Sequence, residues 1–203
     1  TLITSSAASD VYKRQITLPT DPLQHIDGKG EIALCILSAI NVGVLKDIKE
    51  LETLCDLSVR GLEQIIDHQK YPVKAAEIST KARRSLGIGY IGLAHYLAKN
   101  KVMYEDKEAW QLVNELSEAF QYYLLKASNT IAKEKGPCDY FKKTKYSKGL
   151  LPIDTYKKDV DTIISTKLKM NWEALRKDIV EHGLRHSTLS APVSYTHLTL
   201  PTT

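Results

Sequence analysis

The chain reads as an α/β protein, mostly helical with few strands. Two short apolar runs, about 31–38 and 184–190, are too short for buried helices, and turn signals lead into the first of them. Between them, apolar residues recur every three or four positions over long stretches, as amphipathic helices require. A terminating Gly136-Pro137 and a capping Asn171 punctuate those stretches.

Taken in order, residues 1–15 carry neither helical nor strand periodicity, and they lack the apolar core of a signal peptide. From Ile16 onward Pro19, Asp21-Pro22 and Asp27-Gly28-Lys29-Gly30 predict an extended segment and a turn, since proline fixes φ and glycine tolerates positive φ. They deliver the chain into Gly30 to Gly43, an apolar, branched run read as a strand covered on both faces, with Cys35 in its middle. Ile48, Leu51, Cys55, Val59, Leu62 and Ile66 then predict a helix from about Asp47, with Cys55 packed in its core face.

Pro72 breaks the pattern, and a second helix is expected from about Val73 to Arg84. Its Lys81, Arg83 and Arg84 suit a helix C-terminus, where the backbone dipole is negative. Leu86 to Gly92 holds the spacing G-x-G-x-x-G at Gly87, Gly89 and Gly92. A dinucleotide site needs a buried strand before the glycines and an acid about 20 residues on; a helix-like Lys-Ala-Arg-Arg stands there instead, so the glycines read as close packing of a helix start. That helix is expected over 89–99, with His95 packed or at the surface and without a companion at metal-ligand spacing.

The strongest helix follows Asp106, with Trp110, Val113, Leu116, Phe120, Tyr123, Leu124, Ala127 and Ile131 as its stripe. Lys142 to Lys148 interleaves lysines with aromatics and reads as a solvated connection. Short helices are expected over 152–164, and another from Asn171 through Glu181 to a stop at Gly183. His186 beside Ser187 makes no triad without an acid to orient the base.

Composition bounds the function. A 43% hydrophobic and 26% charged chain is ordinary for a soluble globular protein, and no apolar run nears the roughly 20 residues of a membrane span. A net charge of +4 demands no polyanionic partner. Three scattered cysteines, Cys35, Cys55 and Cys138, do not form a secreted disulfide framework and fit a reducing cytoplasm.

Four blocks then stand together in one order: Gly30-Glu-Ile-Ala-Leu-Cys35, Arg84-Ser-Leu-Gly-Ile-Gly89, Leu151-Pro-Ile-Asp-Thr-Tyr-Lys-Lys-Asp159 and Gly183-Leu-Arg-His-Ser-Thr-Leu-Ser-Ala191. With Gln121 to Ser128 between them, they resemble the catalytic core of the large (alpha) subunit of class I ribonucleoside-diphosphate reductase over about 16–191. The resemblance implies a central piece of a ten-stranded α/β barrel in which ribonucleoside diphosphates lose their 2′-hydroxyl. It makes Cys35 one of a redox-active pair whose partner cysteine is absent from this chain. No cofactor or metal is implied for the chain itself; the family takes its radical from a metal-containing small subunit and is regulated by nucleotides. Thioredoxin or glutaredoxin, and a second large subunit, are the other implied partners.

The same resemblance implies that this piece alone is inactive. Ahead of the segment matching Ile16 the family carries Asn-x-Cys-x-Glu, the radical cysteine and the base, where this chain has Val11, Lys13 and Gln15. An ammonium forms no thiyl radical, and a neutral amide is no base. Beyond Ala191 the family's phosphate-holding Ser/Thr turn is replaced by Val193 to His197. Residues 1–15 and 192–203 resemble translated adapter DNA, in Asp10–Gln15 and Val193–Thr203, and are expected to be non-native flanks around a domain at 16–191. Two rivals remain: a helical nucleic-acid-binding module using Lys81, Arg83, Arg84 and Lys142 to Lys148, and a nicotinamide enzyme using Gly87, Gly89 and Gly92.

Overall fold

A computed structural model describes residues 31–165 and 167–191. The segment 16–30 and both expected flanks, with Val11, Lys13, Gln15 and Val193 to His197, lie outside the described residues.

Strand β1 (Ile36–Asn41) pairs in parallel with β2 (Leu86–Ile91), from Ile36 opposite Leu86 to Asn41 opposite Ile91. Helices α1 (Glu50–His68) and α2 (Lys74–Arg83) make the crossover between them. After β2 come α3 (Leu93–Lys99), the 29-residue α4 (Lys107–Lys135), a run of 3-10 turns, and α5 (Trp172–His182). Asn171 caps α5 as its sequence position predicts, accepting from the Ala174 N–H at 3.2 Å.

The core lies between the sheet, α1 and α4. The predicted α1 stripe of Leu51, Cys55, Val59, Leu62 and Ile66 is buried, and Phe120, Leu124 and Ile131 of α4 share the same core. Tyr90 of β2 meets Phe120 edge-on, with ring centroids 5.3 Å apart. Trp110, expected in the α4 stripe, is exposed instead; its indole N–H donates to the Tyr104 carbonyl at 2.7 Å, outside the core.

Three expectations about strands need correction. Regular pairing in the first run spans 36–41 rather than 31–38, because Ser85 and Leu86 come alongside only from Ile36, whose N–H donates to the Ser85 carbonyl at 3.2 Å. Nor is that strand covered on both faces: Ile36 and Ile40 pack into the core, while Leu37 on the opposite face is 50% exposed. The glycine-rich 86–91 is a strand, not a helix start; only Gly92, at φ +78°, opens a helix. The run at 184–190 does lie beside β2, with Leu86 and Ile88 N–H groups donating to Thr188 and Leu189 carbonyls at 2.9 Å, but its ladder contact is a single parallel bridge from Ser190 to Ile88.

Candidate functional site

The two faces of the sheet differ in chemistry. Ile36, Ile40, Leu86, Ile88 and Tyr90 face the helices and are packed in the core. The alternation of a strand sends Cys35, Leu37, Ala39, Gly87, Gly89 and Ile91 to the other face. That face is small and partly open: Leu37 is 50% and Ile91 49% exposed.

Cys35 stands on this face just ahead of β1, half-buried and with a free thiol. Its sulfur lies over Gly87, 3.0 Å from where a β-carbon on that glycine would stand, and Ala191 closes on the same point at 3.2 Å. Burial pushes the thiol up to about 12, so at neutral pH Cys35 is the protonated S–H. Cys55 and Cys138 are free thiols buried elsewhere; burial pushes them up to about 12 and about 11. Cys55 takes the core role expected of it, with its sulfur 4.0 Å from the Phe120 carbonyl oxygen.

The strand of the chain that carries Cys35 is tied down upstream. Arg83 donates to Glu31 at 2.7 Å, the Tyr140 hydroxyl donates to the same carboxylate, and the Arg83 guanidinium lies 4.4 Å from the Tyr140 ring centre. Hydrogen bonds from Tyr140 and Arg83 outweigh the desolvation of Glu31, whose carboxyl is held below its usual range.

A buried charge network, which spacing did not predict, holds the segment that ends at Ala191. The Glu63 carboxylate of α1 accepts from Arg84 Nε at 2.8 Å, Arg185 Nε at 2.8 Å and His186 Nε2 at 2.9 Å, and Arg84 Nη2 is ion-paired to it at 2.8 Å. Because a carboxylate only accepts, His186 carries its proton on Nε2, and Nδ1 accepts from the Ser128 hydroxyl at 2.9 Å. The His186 backbone N–H in turn donates to Ser128 Oγ at 3.2 Å.

His186 and Ser187 form no triad, as expected; the acid that orients His186 is Glu63, and the serine it meets is Ser128. Ser187 instead pairs with Ser85 Oγ at 3.1 Å. The trio has the connectivity of a hydrolytic triad without its access: Ser128 and His186 are fully buried and Glu63 is 1% exposed, so no substrate reaches the serine. It is a lock between α1, α4 and the strand-like segment after α5. Desolvation opposes the charge on Glu63, but hydrogen bonds from His186, Arg84 and Arg185 outweigh it and hold the carboxyl far below its ordinary value. Desolvation pulls His186 below its usual value against the attraction of Glu63.

Arg84 reaches Glu63 from a left-handed backbone at φ +50°, an uncommon conformation for a non-glycine residue, and also pairs with Asp67 at 2.8 Å. A signal was present: Glu63 falls four residues after Val59 and three before Ile66, a charge on an apolar stripe.

The rival readings lose part of their residues. Lys81 pairs with Glu77, Arg83 with Glu31, and Arg84 with Glu63 and Asp67, so this first basic cluster is paired within the fold, while the lysines of 142–148 remain exposed. Gly87 and Gly89 lie inside β2, and α2, not a strand, precedes them, so their amides do not form a pyrophosphate cradle. His95 is exposed. Among the described residues no group of three or more His, Cys, Asp or Glu side chains is placed to hold a metal, and no helix is long and apolar enough to cross a membrane.

Parallel strands joined by a helical crossover, with the helices on one face of the sheet, are the repeating arrangement of an α/β barrel wall. Comparison with known proteins agrees: the family model for the ribonucleotide reductase barrel domain matches residues 8–193. The chain belongs to that family. It is 57% identical over 178 residues to the ribonucleoside-diphosphate reductase subunit alpha of Buchnera aphidicola subsp. Schizaphis graminum, covering 87% of this chain and 23% of the relative. The Haemophilus influenzae subunit alpha is 59% identical over 178 residues, with 87% and 24% covered, and that of Enterobacteria phage T4 is 44% identical over 179 residues, with 87% and 23% covered. The chain thus spans about a quarter of the length of these relatives.

Proposed function

We propose that this chain is a central portion of the ten-stranded catalytic barrel of a ribonucleoside-diphosphate reductase alpha subunit, and that Cys35 is one of the two thiols that reduce the substrate. The observation that carries the reading is the position of Cys35: a protonated thiol on the sheet face turned away from the helices, where a closed barrel has its interior. The chemistry balances with one partner thiol. Two S–H groups give up two protons and two electrons and join as S–S, the ribose C2′–OH becomes C2′–H, and its oxygen leaves as water. The disulfide is then reopened by thiol exchange, which thioredoxin or glutaredoxin supplies.

The complete enzyme on this reading is a cytoplasmic homodimer of alpha subunits. It takes its radical from a metal-containing small subunit and is regulated by bound nucleotides. Residues 16–191 belong to the barrel domain, with 1–15 and 192–203 as non-native flanks. The 203-residue chain itself turns over no substrate, because Lys13 and Gln15 stand where the radical cysteine and the base are needed.

The test is Cys35→Ser in the full-length subunit, assayed with small subunit and a thioredoxin system. Multiple turnover is expected to fall to background while nucleotide binding persists. Undiminished multiple turnover overturns the assignment.

A further inference from the structure

We propose that Gly87 is the positioning residue for the Cys35 thiol: its missing side chain leaves the notch in which the sulfur rests. Parallel pairing sets Gly87 opposite Leu37, two residues after Cys35 on the same face of the sheet. From the far side of β2 the segment ending at Ala191 closes in, its N–H donating to the Ile88 carbonyl at 3.0 Å. Three side chains from two segments therefore converge over one α-carbon. A β-carbon there would stand 2.5 Å from a Leu37 methyl, 3.0 Å from Cys35 Sγ and 3.2 Å from the Ala191 methyl.

The three neighbours do not yield equally. The Leu37 methyl is the end of a half-exposed, flexible side chain and swings aside. Ala191 has no rotatable side chain, and its backbone is bonded to β2. The sulfur is left to yield: at 3.0 Å from the added carbon it must give way, and rotation about χ1 carries it out of the notch. Glycine at 87 is thus required by the side chains packed over it, Cys35 among them, and not by the backbone, since Gly87 is not among the positive-φ glycines.

Outside the notch the sulfur regains water. The desolvation that holds it protonated relaxes, its titration moves down, and the thiolate fraction at neutral pH rises. The same displacement takes it from the place where the reducing pair must close. The consequence for turnover rests on the reading of Cys35 as a redox thiol; the notch does not.

The experiment is Gly87→Ala in the full-length subunit, with Gly61→Ala as the control because nothing lies within 4 Å of a β-carbon at Gly61. Alkylation of the reduced protein by iodoacetamide, mapped by peptide mass spectrometry from pH 6 to 10, follows Cys35, Cys55 and Cys138 separately. We expect Cys35 in Gly87→Ala to react on the order of tenfold faster at pH 8, the gain in thiolate from one unit of titration shift. Its pH profile should move down while Cys55 and Cys138 stay slow. In thioredoxin-supported turnover kcat should fall with the substrate KM unchanged.

If Cys35 keeps its wild-type rate and pH profile, or if all three thiols speed up together, the notch is refuted. Should Gly87→Ala fail to fold, Leu37→Ala with Gly87→Ala removes the tightest contact and leaves the sulfur to meet the added methyl, with the same two outcomes. A Cys35→Ser subunit that still turns over many times overturns the redox reading but leaves the alkylation result standing.

Discussion

Glu63 shows how much one side chain can hold. Its carboxylate gathers Arg84, Arg185 and His186 from two distant parts of the chain. Removing that charge takes the carboxylate from Arg185 and leaves Arg84 with Asp67 alone, so Glu63→Gln is expected to cost about 3 kcal/mol, measured by urea unfolding. The network also sets a pH dependence. His186 titrates lower in the fold than its usual 6.5, so the unfolded chain binds that proton first and stability is lost as pH falls through the range below about 6.5. Glu63 acts with the same sign below about 4.5, where the unfolded carboxyl is protonated while the folded one resists. Ser128, Arg84 and Arg185 are the other groups facing this pair. His186→Gln keeps a donor toward Glu63 without the titration, and should flatten the loss of stability between pH 6.5 and 5 in urea melts.

Among the elements, α5 tests local rules and β2 tests non-local ones. Asn171→Ala removes the side-chain acceptor at the start of α5 and is expected to cost about 1 kcal/mol, read by urea unfolding. Glu118 supports the same helix start, accepting from the Lys169 and Met170 N–H groups and from the Trp172 indole at 2.9 Å. The α1, α2 and α5 boundaries lie within about three residues of those that apolar spacing and caps predict, because a helix completes its hydrogen bonds within its own segment. β2 escaped notice for the converse reason. Leu-Gly-Ile-Gly has little strand propensity, and its pairing comes from β1 on one side and from residues near 190 on the other.

For the whole molecule, the open face of the sheet and its free edge decide behaviour. β2 is flanked on both sides, whereas among the described residues β1 is paired with β2 alone. Leu37 and Ile91 lie half-exposed on the face that a barrel would enclose. An unpaired edge beside exposed apolar side chains invites association. The isolated 203-residue chain is therefore expected to elute as assemblies in size-exclusion chromatography with light scattering. A monomer that melts cooperatively would contradict this.

The sequence by itself determined the helices, the core stripe of α1, the cap and stop of α5, and the family through blocks that include Cys35. Each of these is written in residues close together in the chain, or in a pattern readable without knowing what lies across from it. Only the tertiary structure decided that 86–91 is a strand, that Cys35 rests over Gly87, and that Glu63, Ser128 and His186 meet. Those contacts join residues 52 to 123 positions apart, from Cys35–Gly87 to Glu63–His186. Whether a thiol or a carboxylate is buried, paired or open depends on partners that come near only when the chain has folded.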